Sequence, residues 1–336
     1  MSVSVSEFAI VGAGALGSIL AAHLVRSGRS VVLLARGARA RHVQEHGVRI
    51  RGQSDFSIPV PVLTDPSLLR EAGTLIIATK TPGSEDTLAQ LRHVRLDSAL
   101  SIQNGVMKDE LLADTYGSNR TLGALADTSG ELLASGDVLF TRNVNLFIGE
   151  LSGDMSDRGH SLVQAIDAAG VRATLVPDII SREWSKFVCW VGFVSLALTT
   201  RVQTWRFSSD PDSALLMVRL TREVAALATA LGIALTEDRA LLPIRTVLDA
   251  TEAEAVAAVR KVGIDYQSKA PEHKLSALQD LQAGRPLEIH ETLGYVVRKA
   301  REMNLPMPLL NNFYCLVSAI DRTRDRQARP GDAVSA

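Results

Sequence analysis

The 336-residue sequence predicts an α/β chain: an N-terminal doubly wound sheet followed by an all-α C-terminal domain. Three observations predict it. Over the first half, short and nearly continuous apolar runs alternate with helical stretches, as in a parallel sheet covered on both faces. A glycine-rich turn follows the first apolar run. After Asp178 apolar residues recur at three- and four-residue spacing almost to the end, the signature of packed amphipathic helices.

Taken in order, Phe8 to Val11 reads as the first strand and ends at Gly12. Leu16 to Ser27 reads as a helix closed by Gly28, and Val31 to Ala35 as the second strand. Leu75 to Thr79 and Ala99 to Ile102 are further buried strands. From Thr121 to Glu150 glycines and threonines interrupt three runs, Thr121–Ala126, Val138–Phe140 and Asn145–Ile148. These are expected as antiparallel strands added at the far side of the sheet. Ala173 to Val176, ending at Pro177, is the last strand. Helical runs then lie near 181–200, 211–231, 237–257, 271–282, 287–303 and 308–322, with Gly232, Gly263 and Gly284 read as stops. The expected division is a dinucleotide-binding domain over 1–177, a helical substrate and catalytic domain over 178–323, and a polar tail over 324–336.

Composition narrows the function. Lys and Arg number 36 against 37 Asp and Glu, so no basic surface points to nucleic acid or an anionic membrane. The longest apolar run, Phe187 to Leu198, is shorter than the ~20 residues of a membrane span. MSVSVSEFAIVG has no basic flank and reads as the approach to a strand rather than a signal peptide. Both cysteines, Cys189 and Cys315, lie in apolar runs and are expected as buried thiols in the cytoplasm. No H-E-x-x-H or Cys/His cluster occurs, so no metal is expected.

The turn after the first strand reads AIVGAGALGS. Gly12, Gly14 and Gly17 fit G-x-G-x-x-G, the Rossmann-type dinucleotide fingerprint, with strand before and helix after. The first glycine permits the tight turn, the second lets backbone approach a pyrophosphate, and the third lets helix pack on strand. Ala15 and Leu16 complete the candidate loop at the helix N-terminus, where free N–H groups favour phosphate. The second strand ends VVLLARGARAR. Arg36 stands where NAD-binding chains place an acidic residue, with Arg39 and Arg41 nearby, which suits the 2′-phosphate of NADPH. Lys80 follows LIIAT, and Asn104 follows ALSIQ, both at strand ends where ligands of open sheets lie. An Asn-Gly pair also marks ordinary turns. One residue is out of keeping with its surroundings: Lys186, in the apolar helix EWSKFVCWVGFVSLAL.

Together these segments resemble the ketopantoate reductase (2-dehydropantoate 2-reductase) family over nearly the whole chain. The resemblance rests on IVGAGALGS, Arg36, Thr79–Lys80, the QNG of Gln103–Gly105, the FIGE of Phe147–Glu150, EWSKF at 183–187, SALQDLQAGRPLEIHETLG at 276–294 and NLPMP at 304–308. It implies NADPH-dependent reduction of a 2-keto acid to a 2-hydroxy acid, with 2-dehydropantoate the family's best-known substrate and pantoate, for pantothenate, its product. It further implies that Lys186 is the catalytic lysine and Glu288 the active-site glutamate. Ser276 then binds the substrate carboxylate, Asn104 lies on the nicotinamide side, and Lys80 contacts the cofactor. Where family members commonly carry asparagines one and two turns after the lysine, this chain has Trp190 and Val194. His273 replaces another asparagine. These three are the candidate substrate-facing departures, and they favour a more apolar keto acid; alternatively Trp190 and Val194 are core. A homodimer through the helical half is also expected. Two alternatives remain: a related two-domain dehydrogenase acting on another hydroxy acid, and an NADP-binding sensor without turnover.

Overall fold

A computed structural model describes residues 6–238 and 240–324 of the chain. The expected tail from 324 lies, Arg324 apart, outside the described residues. The chain forms two compact units, one of residues up to Asn104 with Lys108–Ile179, the other of Gly105–Met107 with the residues from Ile180 onward.

The first unit runs β1 (Ser6–Val11), α1 (Ala15–Arg26), β2 (Val31–Leu34), α2 (Gly37–His46), β3 (Val48–Gly52), β4 (Phe56–Ile58) and β5 (Val62–Leu63). It continues β6 (Glu71–Ile77), α3 (Ser84–Leu91), β7 (Arg95–Ser101), α4 (Met107–Tyr116), β8 (Thr121–Leu132), β9 (Val138–Glu150), α5 (Asp157–Ala168) and β10 (Ala173–Leu175). The sheet order is β4-β3-β9-β8-β7-β6-β1-β2-β5, with β10 branching from β9. Strand β1 pairs in parallel with β2 on one side and β6 on the other. The chain therefore reverses direction of winding at β1, which puts the glycine turn at the topological switch point.

Alternation along β1 shows why both faces are covered. Phe8 and Ile10 join Ile19, Leu20 and Leu24 of α1 and Leu162 and Ile166 of α5 in one core. Ala9 and Val11 face the other way, with Leu88 and Leu91 of α3 and Leu112 of α4. Each fully buried Leu or Ile of this kind contributes about 1.5–3 kcal/mol.

The region 121–150 departs from expectation. Instead of three short strands at the far side, β8 and β9 form one long antiparallel hairpin inside the sheet. Strand β8 is parallel to β7, and β9 is parallel to β3 and β10. Two register shifts, at Asp127/Thr128 and Ser129/Gly130, explain the broken apolar pattern. The short strands β3 and β4 have no apolar run to mark them. In VRIRG only Val48 and Ile50 face inward, between outward arginines.

The second unit contains α6 (Ile179–Thr200), α7 (Thr204–Ser209), α8 (Pro211–Ala230), α9 (Ile244–Asp249), α10 (Glu252–Lys269), α11 (Ser276–Gln282), α12 (Leu293–Glu302) and α13 (Pro308–Thr323). Residues of α6 from Phe187 to Leu198 are almost all buried among the other helices, so α6 is the central helix of the bundle. The expected helix at 237–257 is two helices. Pro243 caps α9, and Thr251 starts α10 with a capping box to Glu254. Gly263 is not a stop but lies within α10, where a Cβ would stand 2.5 Å from the Ser209 nitrogen. Glycine there lets α10 pack close against the end of α7. The expected helices at 271 and 287 begin later, at Ser276 and Leu293. Among the described residues no helix is long and apolar enough to cross a membrane.

Candidate active site

The three glycines of the first turn have separable roles. Gly12 has φ +109°, and a Cβ there would lie 2.8 Å from Thr79 Cγ2. A Cβ on Gly17 would lie 2.0 Å from the Gly12 carbonyl oxygen. A Cβ on Gly14 would meet nothing within 4 Å. Gly12 and Gly17 are therefore required by the fold, whereas Gly14 borders open space at the start of α1. Ala15 and Leu16 open that helix, whose first N–H groups lack intrahelical acceptors. These features fit the pyrophosphate of a dinucleotide.

Beyond β2, Arg36 is the N-cap residue of α2, exposed, with a long hydrogen bond of 3.4 Å to Gln90 Oε1. Arg39, one turn on, points inward instead and donates to the Ala13 carbonyl at 2.9 Å. The exposed Lys80 follows β6, and Asn104 follows β7. Gln103 joins their loops: its Nε2 donates to Thr79 Oγ1 (3.2 Å), the Lys80 carbonyl (3.1 Å) and Ser84 Oγ (2.9 Å). Its Oε1 accepts from Ser101 Oγ at 2.9 Å. Sequence reasoning assigned Gln103 no role. The available signal was its place between two strand-end segments.

Glu150, from the FIGE run, has a structural duty. Arg158 grips its carboxylate from Nε (2.7 Å) and Nη2 (2.5 Å), and Ser156 donates to it as well. Burial opposes its ionisation, but the hydrogen bonds from Arg158 and Ser156 outweigh that and hold the carboxyl below its ordinary range.

In the helical unit Lys186 is half-buried on α6. The next residue, Phe187, meets Trp184 edge-on at 5.9 Å and stacks with Trp190 at 6.2 Å. Trp190 is 8% exposed, buried but less completely than its neighbours on the helix. Val194 is 1% exposed and packs in the core, in line with the alternative that it is a core residue.

Glu288, 9% exposed, lies in a turn before α12 rather than in its first turn. Thr292 Oγ1 donates to the Glu288 carbonyl, and the Gly294 amide donates to the Ile289 carbonyl at 2.9 Å. Those bonds hold the turn and delay the helix. Gly105, with φ +84°, connects the segments. A Cβ there would lie 3.2 Å from Thr292 Cγ2 and 3.9 Å from Phe187 Cε2. One backbone position thus touches both the helix of Lys186 and the turn of Glu288, and Asn104 precedes it directly. Glu291 was also missed by sequence reasoning. Its Oε2 is buried without a hydrogen-bond partner, and burial, opposed in part by its own backbone amide, raises its pKa.

Ser276 is the exposed first residue of α11. His273 is exposed in the loop before it; its Nδ1 bonds Thr204 Oγ1 at 2.9 Å and its ring lies against Tyr266 at 5.0 Å. Among the described residues no group of three or more His, Cys, Asp or Glu side chains is arranged to hold a metal. Cys315 is exposed, not buried as expected, because its position on α13 turns away from the bundle core; Cys189 is buried, and burial pushes its thiol up to about 12.

Comparison with known proteins bears on the whole of this arrangement. Residues 8–153 match the family model described as ketopantoate reductase PanE/ApbA, and residues 178–321 match that of its C-terminal domain. A 2-dehydropantoate 2-reductase of Archaeoglobus fulgidus is 26% identical, covering 94% of this chain and 98% of the relative. One from Mycobacterium tuberculosis is 28% identical, covering 93% and 96%. The crystal structure of a PanE/ApbA family ketopantoate reductase from Ralstonia eutropha shares the fold, with a TM-score of 0.79 at 24% identity over 94% of this chain and 98% of that one. With both of its domains matched, the chain belongs to the ketopantoate reductase PanE/ApbA family.

Proposed function

We propose that the chain is an oxidoreductase that reduces a 2-keto acid to the 2-hydroxy acid with NADPH, the substrate being 2-dehydropantoate or a related, more apolar keto acid. The observation that carries this reading is a pairing of features within one family member. A glycine turn is shaped for pyrophosphate, and a half-buried lysine stands directly before the long apolar run of α6.

When bound, a reduced nicotinamide supplies the hydride. The chain's residues do the rest. Gly12, Gly14, Ala15, Leu16 and Gly17 hold the pyrophosphate, and Lys80 adds positive charge beside it. Arg36, exposed at the end of β2, favours the 2′-phosphate and hence NADPH over NADH. Lys186 stabilises negative charge growing on the carbonyl oxygen and gives that oxygen its proton. Glu288 keeps the lysine charged and oriented. Asn104 donates and accepts as a carboxamide and a substrate oxygen require. Ser276 binds the carboxylate, with His273 as a polar neighbour of the site. Trp190 presents an apolar edge where an amide would favour a hydroxylated substrate. The relatives named as 2-dehydropantoate 2-reductases support the reaction class.

The proposal includes a cytoplasmic homodimer. Two free cysteines support the first part, and the exposed Ile264 of α10 and Leu316 of α13 support the second. The test is oxidation of NADPH, followed by absorbance, against 2-dehydropantoate and a panel of branched apolar 2-keto acids. Turnover of at least one supports the reading; tight NADPH binding with no turnover favours the sensor.

A further inference from the structure

We infer that Arg39 is a positioning residue for the glycine turn, acting on any dinucleotide alike, rather than a reader of the 2′-phosphate. The inference rests on the reading that this turn holds the pyrophosphate of a nicotinamide dinucleotide. Each of the three guanidinium nitrogens already has a protein acceptor. Nε donates to the Ala13 carbonyl at 2.9 Å, Nη2 to Ser18 Oγ at 3.1 Å, and Nη1 to the Gly136 carbonyl at 2.8 Å. Ser18 Oγ in turn donates to the same Ala13 carbonyl at 3.1 Å. Ala13 and Ser18 are buried and Arg39 is half-buried, so little of this network faces water.

The consequence follows from peptide geometry. A trans peptide points its N–H opposite to its C=O. Two donors fix the Ala13 carbonyl, so the Gly14 N–H is fixed in the opposite sense, on a residue whose added Cβ would meet nothing within 4 Å. The planar fork of arginine makes that orientation rigid in a way one ammonium cannot.

The third bond supplies the backing. Gly136 sits at the tip of the β8–β9 hairpin with φ +89°, where a Cβ would overlap the His42 ring at 2.2 Å. The tip is closed by Leu133 N to Asp137 O and Gly136 N to Leu133 O, both 2.9 Å, and by the Arg51–Asp137 ion pair at 2.8 Å. Arg39 thus braces the glycine turn against a separately fixed hairpin. Arg36, by contrast, is exposed, and among the described residues it has only its long bond to Gln90 to break before it can turn to a ligand.

The test is fluorescence titration of full-length Arg39→Ala, Arg36→Ala and Ser18→Ala proteins with NADPH and NADH separately. For Arg39→Ala both dissociation constants are expected to rise by the same factor, about tenfold, leaving their ratio unchanged. Arg36→Ala is expected to weaken NADPH alone. Ser18→Ala, which removes the neutral donor to the same carbonyl, is expected to weaken both dinucleotides equally but less; it decides the matter if Arg39→Ala does not fold. Three results overturn the inference. They are a selective loss of NADPH in Arg39→Ala, a lowered melting temperature with unchanged affinities, and a Ser18→Ala protein with unchanged affinities beside an unfolded Arg39→Ala. A wild-type protein that binds neither dinucleotide would instead overturn the cofactor reading beneath it.

Discussion

Gln103 donates from Nε2 to the carbonyl of Lys80 at 3.1 Å, so one side-chain amide joins the loops that follow β6 and β7. The same carboxamide bonds Thr79, Ser84 and Ser101. Gly12 needs its glycine because Thr79 is so close, and Asn104 is the next residue after Gln103. The strand-end loops around the glycine turn are therefore linked through Gln103 and Thr79. Replacing Gln103 by Leu keeps the volume and removes every one of these bonds. It is expected to cost about 1–3 kcal/mol, the penalty for unpaired buried polar groups, read by urea denaturation. It is also expected to weaken NADPH binding, because Lys80 loses its anchor. Unchanged NADPH affinity would limit Gln103 to a role in stability.

The glycines predict opposite outcomes for the same substitution. Gly14→Ala meets no atom, at a backbone φ of −68° open to any residue. Its effect on stability is expected to stay within about 0.5 kcal/mol. Its NADPH affinity should fall, because the methyl occupies the approach of the pyrophosphate. Gly17→Ala drives a methyl into the Gly12 carbonyl and is expected to cost about 3 kcal/mol. Thermal melts and titrations of the two proteins separate the roles; a Gly14→Ala protein with wild-type affinity would remove the pyrophosphate from this turn.

Much of this was legible in sequence because the constraints are local. G-x-G-x-x-G fixes a turn whose clashes arise within a few residues and one neighbouring strand. The choice among Arg36, Arg39 and Arg41 was not legible. Helix α2 turns Arg39 inward, and its acceptor at Gly136 lies on a hairpin far along the chain. The same limit explains Glu288, whose apolar and acidic surroundings read as a helix start. The tertiary turn closed by Thr292 delays that helix to Leu293. Val194 shows a third kind of limit. Helical spacing puts it on the face of Lys186, but only the packing of the bundle decides how far along α6 that face stays open.

Of the two departures on α6, Trp190 keeps more exposure than Val194, so it is expected to carry more of the substrate preference. Trp190→Asn should shift the ratio of kcat/KM for 2-dehydropantoate over a branched apolar 2-keto acid upward by about 10- to 100-fold. Val194→Asn should lower stability instead, by burying an unpaired amide. Wild-type protein that already prefers 2-dehydropantoate strongly would contradict an apolar role for Trp190.

His23 predicts a pH dependence of the first unit. Its Nδ1 bonds the Ala169 carbonyl at 2.9 Å and its ring lies edge-on to Phe56 and Phe140. Burial is the largest influence and lowers its pKa from 6.5; the Ala169 bond opposes this, and Arg26 adds to it. Below 6.5 the unfolded chain binds the proton more readily, so the contribution to stability is complete above that pH and declines as pH falls through it. His23→Gln, which can keep the bond to Ala169, is expected to show a smaller fall in melting temperature between about pH 7 and about pH 5. An identical fall in both proteins would place the titration elsewhere.

Lys186 is the residue on which the proposed chemistry turns, and its removal with the cofactor readout kept separate is the most direct measurement. Steady-state oxidation of NADPH at saturating 2-keto acid should fall by about 10²–10⁴ in kcat for Lys186→Ala, the usual span for a lost general acid. NADPH affinity, which the proposal assigns to residues of the first unit, should not change. A Lys186→Ala protein that turns over at near the wild-type rate would contradict the account.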